Sequence, residues 1–315
     1  MLALAGGALA LTLMAGQPVL AQDGPPPLPA GAAPGVAAAE PRVEPGRARS
    51  SRRDRGRQQA APVANPEEIK AAAQAQLVAA GSSCQVTEAI EPGVTAEQQS
   101  IYEAVCAEGP GYIVIASTPV QAISCLELAG QAATARLRDP AADVGQQCVL
   151  PANQNALAVI GGWAREAGVA CTIDEAVAIG RSNAGNVVYE VGCTGADGYW
   201  LEKVSDGWQL QECLQIASVG GTCRFTTAQE QAAGFQPKLA GTDAAGCEVA
   251  QVRLMGSNAN GRFYEAKCAA AGEGYIARVN NEGVTQQIYP CATAQLIGGG
   301  CTLTPAPAAA PAPTE

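Results

Sequence analysis

The five-residue stretch YEAVC at residues 102–106 recurs as YEVGC at 189–193 and as YEAKC at 264–268. A Gly-Tyr pair follows each copy, at 111–112, 198–199 and 274–275. Three such matches in a chain of 315 residues are beyond chance, and self-similarity at a regular period is typical of tandem duplication. The sequence therefore predicts three copies of one supersecondary unit.

The cysteines follow the same period. The 12 cysteines form three sets of four: Cys84, Cys106, Cys125 and Cys148; Cys171, Cys193, Cys213 and Cys223; Cys247, Cys268, Cys291 and Cys301. No two of them form a Cys-x-x-Cys pair, so the spacing of zinc ribbons, thioredoxin-like centres and iron–sulfur sites is absent. We expect disulfides made in an oxidising compartment, and neither a metal nor a cofactor.

The hairpin pattern favours one of the three pairings that four cysteines allow. In the second repeat the first two cysteines bracket a hairpin centred on Ser182, which places Cys171 and Cys193 opposite each other at its open end. The fourth strand ends at the same end of the hairpin, which places Cys213 nearby, and Cys223 follows ten residues later. We predict that the first cysteine pairs with the second and the third with the fourth in every repeat.

Each repeat reads as one helix followed by four antiparallel strands. Asn65-Pro66-Glu67-Glu68 is a helix start, with a capping side chain, a proline in the first turn and two acids that the helix dipole favours. Two hairpins follow, and the helix would cover the apolar face of their sheet. The predicted fold is α+β: three tandem disulfide-bonded repeats, each a helix on a four-stranded antiparallel meander, after a disordered leader. The repeats resemble the helix-plus-four-strand modules of PepSY-type domains and of the beta-lactamase inhibitor protein, but no motif carries this likeness, which implies nothing about function.

Composition divides the chain into six segments. They are a signal peptide at 1–21, a disordered Pro/Ala/Arg-rich linker at 22–65, repeat 1 at 66–150, repeat 2 at 151–225, repeat 3 at 226–303 and a Pro/Ala-rich tail at 304–315. The apolar run at 2–14 and the small residues at 19–21 are typical of a cleaved signal peptide, with a retained membrane anchor as the alternative. We expect a secreted or periplasmic protein whose three repeats fold separately. Thirteen extra residues between Cys125 and Cys148 are expected to form a loop.

Charge is unevenly distributed along the chain. The net charge is −10, but the linker has an arginine cluster that is a candidate contact for anionic envelope surfaces: Arg47, Arg49, Arg52, Arg53, Arg55 and Arg57. A solvated spacer is the alternative interpretation of this cluster. The repeats are acidic, which argues against nucleic acid as their partner, since phosphate binding requires clustered Lys and Arg.

Two further groups of recurring residues are candidates for function. Five aromatic residues form a candidate contact surface for a protein or glycan ligand, with packing in the core as the alternative: Tyr112, Tyr199, Trp200, Trp208 and Tyr275. Glu103, Glu190 and Glu265 lie on one strand per repeat, too far apart to form a carboxylate pair, and are expected to face solvent or an arginine neighbour.

Histidine is absent, which excludes catalytic triads and metal sites that depend on imidazole. Repetition of the same scaffold residues suits multivalent contact better than catalysis. We therefore predict an exported, non-catalytic, disulfide-stabilised and cysteine-rich repeat protein. It would act as a binding or structural module at the cell envelope or outside the cell, on an unidentified protein or glycan. The alternative is a secreted hydrolase that uses carboxylates or a Ser/Lys pair.

The arginine cluster generates a first prediction. A peptide of residues 22–65 should bind vesicles of anionic lipid at about 50 mM salt and release them at about 300 mM, because added salt shortens the Debye length to well under 10 Å. Vesicle co-sedimentation measures this binding. Binding that does not change with salt, or no binding at low salt, would leave the linker as a spacer.

Overall fold

A computed structural model describes residues 65–304 of the chain. The predicted signal peptide, the linker with its arginine cluster and the tail after residue 304 lie outside the described residues. The described part is α+β and belongs to one compact unit. None of its helices is both long enough and apolar enough to span a membrane.

The secondary structure follows the sequence repeat. The first repeat contains α1 (Pro66–Ala79), β1 (Val86–Val94), β2 (Ser100–Cys106), β3 (Tyr112–Ile115), β4 (Gln121–Ser124) and α2 (Cys125–Arg138). The second contains a 3-10 turn (Pro151–Asn153), α3 (Ala156–Glu166), β5 (Ile173–Arg181), β6 (Val187–Cys193), β7 (Ala196–Val204), β8 (Gly207–Glu212) and α4 (Cys213–Ser218). The third contains α5 (Ala228–Phe235), a 3-10 turn (Gln236–Leu239), β9 (Val249–Asn258), β10 (Gly261–Cys268), β11 (Gly274–Val279) and β12 (Thr285–Pro290).

The strands form three separate four-stranded antiparallel sheets, ordered β1-β2-β3-β4, β5-β6-β7-β8 and β9-β10-β11-β12. Helices contact the sheets as follows: α1 contacts β1, β2 and β3; α3 contacts β5 and β6; α5 contacts β9 and, to a similar extent, β7 of the second sheet. The predicted start of α1 is confirmed, since the Asn65 side chain accepts a hydrogen bond from the Glu67 backbone at 3.2 Å. Thr227 and Glu230 form a capping box at the start of α5.

Six disulfides join the 12 cysteines, and none is free. The pairs are Cys84–Cys106, Cys125–Cys148, Cys171–Cys193, Cys213–Cys223, Cys247–Cys268 and Cys291–Cys301. Each repeat thus pairs its first cysteine with its second and its third with its fourth, which is the pairing that the hairpin spacing favours.

The recurring glutamates do not face solvent, contrary to one of the two expectations for them. Glu103, Glu190 and Glu265 are all at most 1% exposed. Each accepts hydrogen bonds from backbone N–H groups of the residues that directly follow the fourth cysteine of its own repeat. We call these residues the closing segment: 149–153, 224–226 and 302–304. The expected arginine neighbour exists in the third repeat, where Arg253 Nε lies 2.6 Å from a Glu265 oxygen.

The third closing segment shows the arrangement most fully. Glu265 accepts from the backbone N–H groups of Thr302 at 2.9 Å, Leu303 at 2.7 Å and Thr304 at 2.9 Å. Burial acts to raise the pKa of Glu265, but these N–H groups and the guanidinium of Arg253 outweigh it and hold the pKa below its ordinary value. The carboxylate is therefore ionised and fully hydrogen-bonded inside the protein.

A glycine precedes each recurring tyrosine because the closing segment crosses the sheet there. A Cβ atom at any of these glycines would collide with a polar side chain of the closing segment, and it would lie 2.5–3.1 Å from a backbone carbonyl oxygen of the neighbouring strand. The glycines are Gly111, Gly198 and Gly274, and the side chains are those of Asn153, Thr226 and Thr304. The Gly-Tyr pairs of the sequence thus mark a close backbone approach.

Core packing crosses the boundaries between repeats. The extra residues of the first repeat are only partly a loop: they extend the helix α2, whose first turn is capped by the Ser124 side chain, as far as Arg138, and residues 139–150 are irregular. This helix packs against β5, and its Leu126 belongs to the core of the second repeat. Leu214 of α4 likewise belongs to the core of the third repeat. Separate folding of each repeat stays a prediction, and any fragment that tests it should include the preceding helix.

The buried glutamates generate a second prediction. Glu265→Ala should destabilise the protein by about 3 kcal/mol or more, because it leaves Arg253 and three backbone N–H groups without their partner. Denaturant unfolding of the oxidised protein measures the loss, and hydrogen exchange should show faster exchange of the amides of Thr302, Leu303 and Thr304. Glu282→Ala, at an exposed turn, is the control and should change neither. Equal stability of the two variants would contradict the structural role of Glu265.

Candidate functional site

The second sheet differs from the other two beside the recurring glutamate. In the first and third sheets the residue directly across the strand pair from the glutamate is an isoleucine, Ile113 or Ile276, and both are buried. In the second sheet the same position holds Trp200, which is only partly buried. The face of the sheet that α3 does not cover is therefore wider and more accessible in this repeat.

The segment between the third and fourth cysteines takes different paths in the second and third repeats. In the third repeat this segment folds back over its own sheet, where Ala294 and Ile297 pack in a small core with Ile276. In the second repeat the corresponding segment forms α4, which packs against β9 of the next repeat. This segment therefore does not cover the open face of the second sheet as it covers that of the third. A groove of about 720 Å³ lies on this open face.

We call this cavity the Trp200 groove. Trp200 and Glu202 of β7 line it together with Gln209 and Gln211 of β8, and Val188 contributes from β6. Trp200 pairs with Gln211 across the strands, and Glu202 pairs with Gln209. Because side chains alternate between the two faces of a strand, these residues share one face.

The Trp200 ring is held in a defined position. Its Nε1–H donates to Glu190 Oε2 at 3.2 Å, while the backbone N–H groups of Arg224 and Phe225 bind the other oxygen of Glu190, that of Phe225 at 2.8 Å. Burial raises the pKa of Glu190 despite these donors. The side chain of Glu190 therefore connects the closing segment of the second repeat to the groove by hydrogen bonds.

The two charged residues that line the groove are both engaged. Glu202 Oε1 accepts from Ser182 Oγ at 2.6 Å and from Asn186 Nδ2 at 2.8 Å, and these hydrogen bonds hold the pKa of Glu202 below its ordinary value. Arg181 forms an ion pair of 2.5 Å with Glu127 of α2. Its guanidinium also donates to the carbonyl oxygen of Gly185 at 2.8 Å. The helix contributed by the first repeat thus stabilises one side of the groove.

The structure does not gather the five predicted aromatic residues on one surface. Tyr112, Tyr199 and Tyr275 pack against the cores of their repeats, and Trp208 packs with Trp163 at a ring separation of 5.8 Å. Of the five, Trp200 lines the groove. Strand alternation could have separated Tyr199 from Trp200, and it could have placed Glu202 beside Trp200. Nothing in the sequence distinguished Gln209 and Gln211 of β8 as candidate site residues.

Two of the buried glutamates lie close to disulfide sulfurs. Glu103 is near the Cys125–Cys148 pair, and Glu265 is near the Cys291–Cys301 pair, with the oxygen and both sulfurs within 4.8 Å of one another. Metal binding by cysteine requires a thiolate. Sulfurs in a disulfide do not provide one, so these two clusters are structural.

A second, smaller cavity of about 120 Å³ lies between the second and third repeats. Asp197 of β7 lines it, and its Oδ2 accepts from the backbone N–H of Leu214 at 3.0 Å. Its Oδ1 is buried and has no hydrogen-bond partner among the described residues. Burial, with further contributions from Glu212 and Glu230, raises the pKa of Asp197 to about 7.

Asp197 generates a third prediction. A raised pKa in the folded protein means that stability falls as the pH rises from 3.8, the ordinary value, to about 7, and then levels off. Asp197→Asn should remove this part of the pH dependence and raise the free energy of unfolding at pH 8 by on the order of 2 kcal/mol. Denaturant unfolding at a series of pH values measures it. Asp206→Asn, at an exposed turn, is the control, and the same pH profile in both variants would contradict the prediction.

Comparison with known proteins adds no family to this geometry: no protein-family model, no curated protein and no solved structure matches the chain.

Proposed function

We propose that the chain is an exported, non-catalytic binding module. In this proposal three tandem helix-on-meander repeats form a disulfide-stabilised scaffold that follows an arginine-rich leader. The second repeat holds a protein or glycan ligand in the Trp200 groove. The protein acts at the cell envelope or outside the cell.

Export is supported by the disulfides together with the first 21 residues. Six disulfides without a free cysteine are compatible with an oxidising compartment, where such bonds persist. Residues 1–21 have the apolar run and the small residues of a signal peptide. Cleavage after residue 21 would leave the arginine cluster near the new amino terminus.

A non-catalytic role is supported by the use of the recurring carboxylates. General acid and base groups must reach the substrate. Glu103 and Glu265 are instead enclosed and bind backbone N–H groups of their closing segments. Glu190 binds its own closing segment and the indole of Trp200. The recurrence of these residues in all three repeats is accounted for by folding.

The observation that carries the proposal is the departure of the second repeat from the pattern of the other two. A partly exposed tryptophan stands where the other sheets bury isoleucine, and a groove opens around it. Exposed aromatic surface is costly to leave in water and is typical of recognition sites. The groove is also within the range of about 300–1,000 Å³ that ligand pockets occupy.

A capture experiment tests the proposal and forms a fourth prediction. The oxidised protein, immobilised without its first 21 residues, should retain material from an envelope extract, and Trp200→Ala should reduce the retained amount at least tenfold. One portion of the extract is treated with protease and another with periodate, which oxidises sugars. Loss of retention after one treatment identifies the ligand as protein or glycan.

Matched variants make the result specific to the groove. Gln251→Ala changes an exposed glutamine on β9, in the third repeat, and should retain as much material as the unchanged protein. Equal retention by the Trp200→Ala and Gln251→Ala variants would contradict the groove as the binding site. Release of new reducing ends from the retained material would contradict the non-catalytic role and favour the hydrolase.

A further inference from the structure

We propose that the ligand of the Trp200 groove is a neutral glycan, with one sugar ring stacked on the indole of Trp200. This inference rests on the proposed function, since it names the ligand class of the same site. It is carried by three features of the groove: its balance of charge, the chemistry of its polar side chains, and the fixed aromatic plane among them.

The balance of charge favours a neutral ligand. One cationic and one anionic residue, Arg181 and Glu202, line the groove, and their formal charges cancel. The guanidinium of Arg181 is already paired with Glu127, so it offers little to an anionic ligand. One oxygen of Glu202 accepts two hydrogen bonds from its own repeat. The second oxygen remains available to accept a hydrogen bond from a hydroxyl group.

Apart from Ser182, whose hydroxyl donates to Glu202, the other polar side chains of the groove are amides, which suit hydroxyl groups. Four of them line the groove: Asn183, Gln209, Gln211 and Gln215. A side-chain amide has two donors and an acceptor, and a sugar hydroxyl both donates and accepts, so each amide can bind one or two hydroxyls. Gln215 uses one donor on Glu212 at 2.8 Å. The side chains of Asn183, Gln209 and Gln211 form no hydrogen bond with the described residues, so their capacity is free for a ligand.

The Trp200 ring supplies the apolar surface that a sugar also requires. The C–H groups on one side of a pyranose ring form an apolar face, and a large aromatic ring covers such a face at little conformational cost. The hydrogen bond from Nε1 to Glu190 fixes the indole before a ligand arrives. Such preorganisation lowers the entropy lost on binding.

The position of the groove argues against an extended peptide. A peptide that binds by strand addition needs a free strand edge with unpaired backbone groups. The groove lies on the face of the sheet, where residues of β5, β6, β7 and β8 line it, and Trp200 is on β7, which is paired on both sides. The free edge nearby is that of β8, and a strand added there would extend the sheet in its own plane instead of covering Trp200. A ligand in the groove therefore meets side chains, among them four amides and one aromatic ring.

Titration with defined sugars tests the inference and forms a fifth prediction. The oxidised protein, without its first 21 residues, is titrated with neutral hexasaccharides of β-1,4-linked glucose, α-1,4-linked glucose and β-1,4-linked N-acetylglucosamine, and with anionic oligogalacturonate. At least one neutral hexasaccharide should bind with a 1:1 stoichiometry and change the tryptophan fluorescence. Oligogalacturonate should bind at least tenfold more weakly than that neutral sugar. Isothermal titration calorimetry measures both affinities.

Variants separate stacking from hydrogen bonding. Trp200→Ala should weaken binding at least tenfold, whereas Trp200→Phe, which keeps an aromatic plane, should weaken it by no more than about threefold. Gln211→Ala should cost about fivefold, the usual effect of one hydrogen bond. Gln251→Ala is the control and should bind as the unchanged protein does. Far-ultraviolet circular dichroism and thermal melting establish that each variant is folded.

The outcomes distinguish this inference from the proposal on which it rests. If none of the three neutral sugars binds at 10 mM, or if binding is the same in Trp200→Ala, the glycan inference is wrong. If the capture experiment nevertheless depends on Trp200 and is lost after protease treatment, the binding module stands and its ligand is a protein. If neither experiment depends on Trp200, both are wrong.

Discussion

A carboxylate buried in each sheet holds the chain that follows the fourth cysteine. Without the closing segment, Glu103, Glu190 and Glu265 would be carboxyl groups enclosed by protein with too few hydrogen-bond partners, which is unfavourable. Without the glutamate, the closing segment would bring backbone N–H groups to the sheet surface with nothing to accept them. Each therefore requires the other, and the requirement is repeated three times along the chain.

This mutual requirement explains several recurring residues together. The disulfide between the third and fourth cysteines holds the start of the closing segment close to the end of the fourth strand. The glycine before the recurring tyrosine leaves room for the closing segment on the sheet. The first disulfide ties the ends of the first hairpin, close to the strand that carries the glutamate. The residues common to all repeats thus serve one arrangement, and the residues that differ between repeats are the ones available for function.

Much of this scaffold could be predicted from the sequence. Cysteine period, strand alternation and the helix start at Asn65 depend on residues close together in the chain, so local rules predict them well. The burial of the glutamates was missed because most of their partners are backbone N–H groups 34 to 47 residues away, which no residue type marks. The helix α2 was expected to be a loop because its packing surface lies in the next repeat. For the groove, Trp200 was named from the sequence, but which of Tyr199 and Trp200 faces the core depends on which face of the sheet the helix covers.

Each of the first two repeats packs a helix on the repeat that follows it in the chain, so these helix contacts run in one direction along the array. The first repeat contributes α2 to the second, the second contributes α4 to the third, and the third folds its own last segment back on itself. In the third repeat the last segment thus covers its own sheet, whereas the first two repeats each pack a helix on the sheet that follows. The second repeat both receives a helix and donates one, so it is the unit that could be duplicated or deleted as a whole with matching surfaces on either side. Duplication of the second repeat would add a second groove of the Trp200 type while the first and third repeats stay the same.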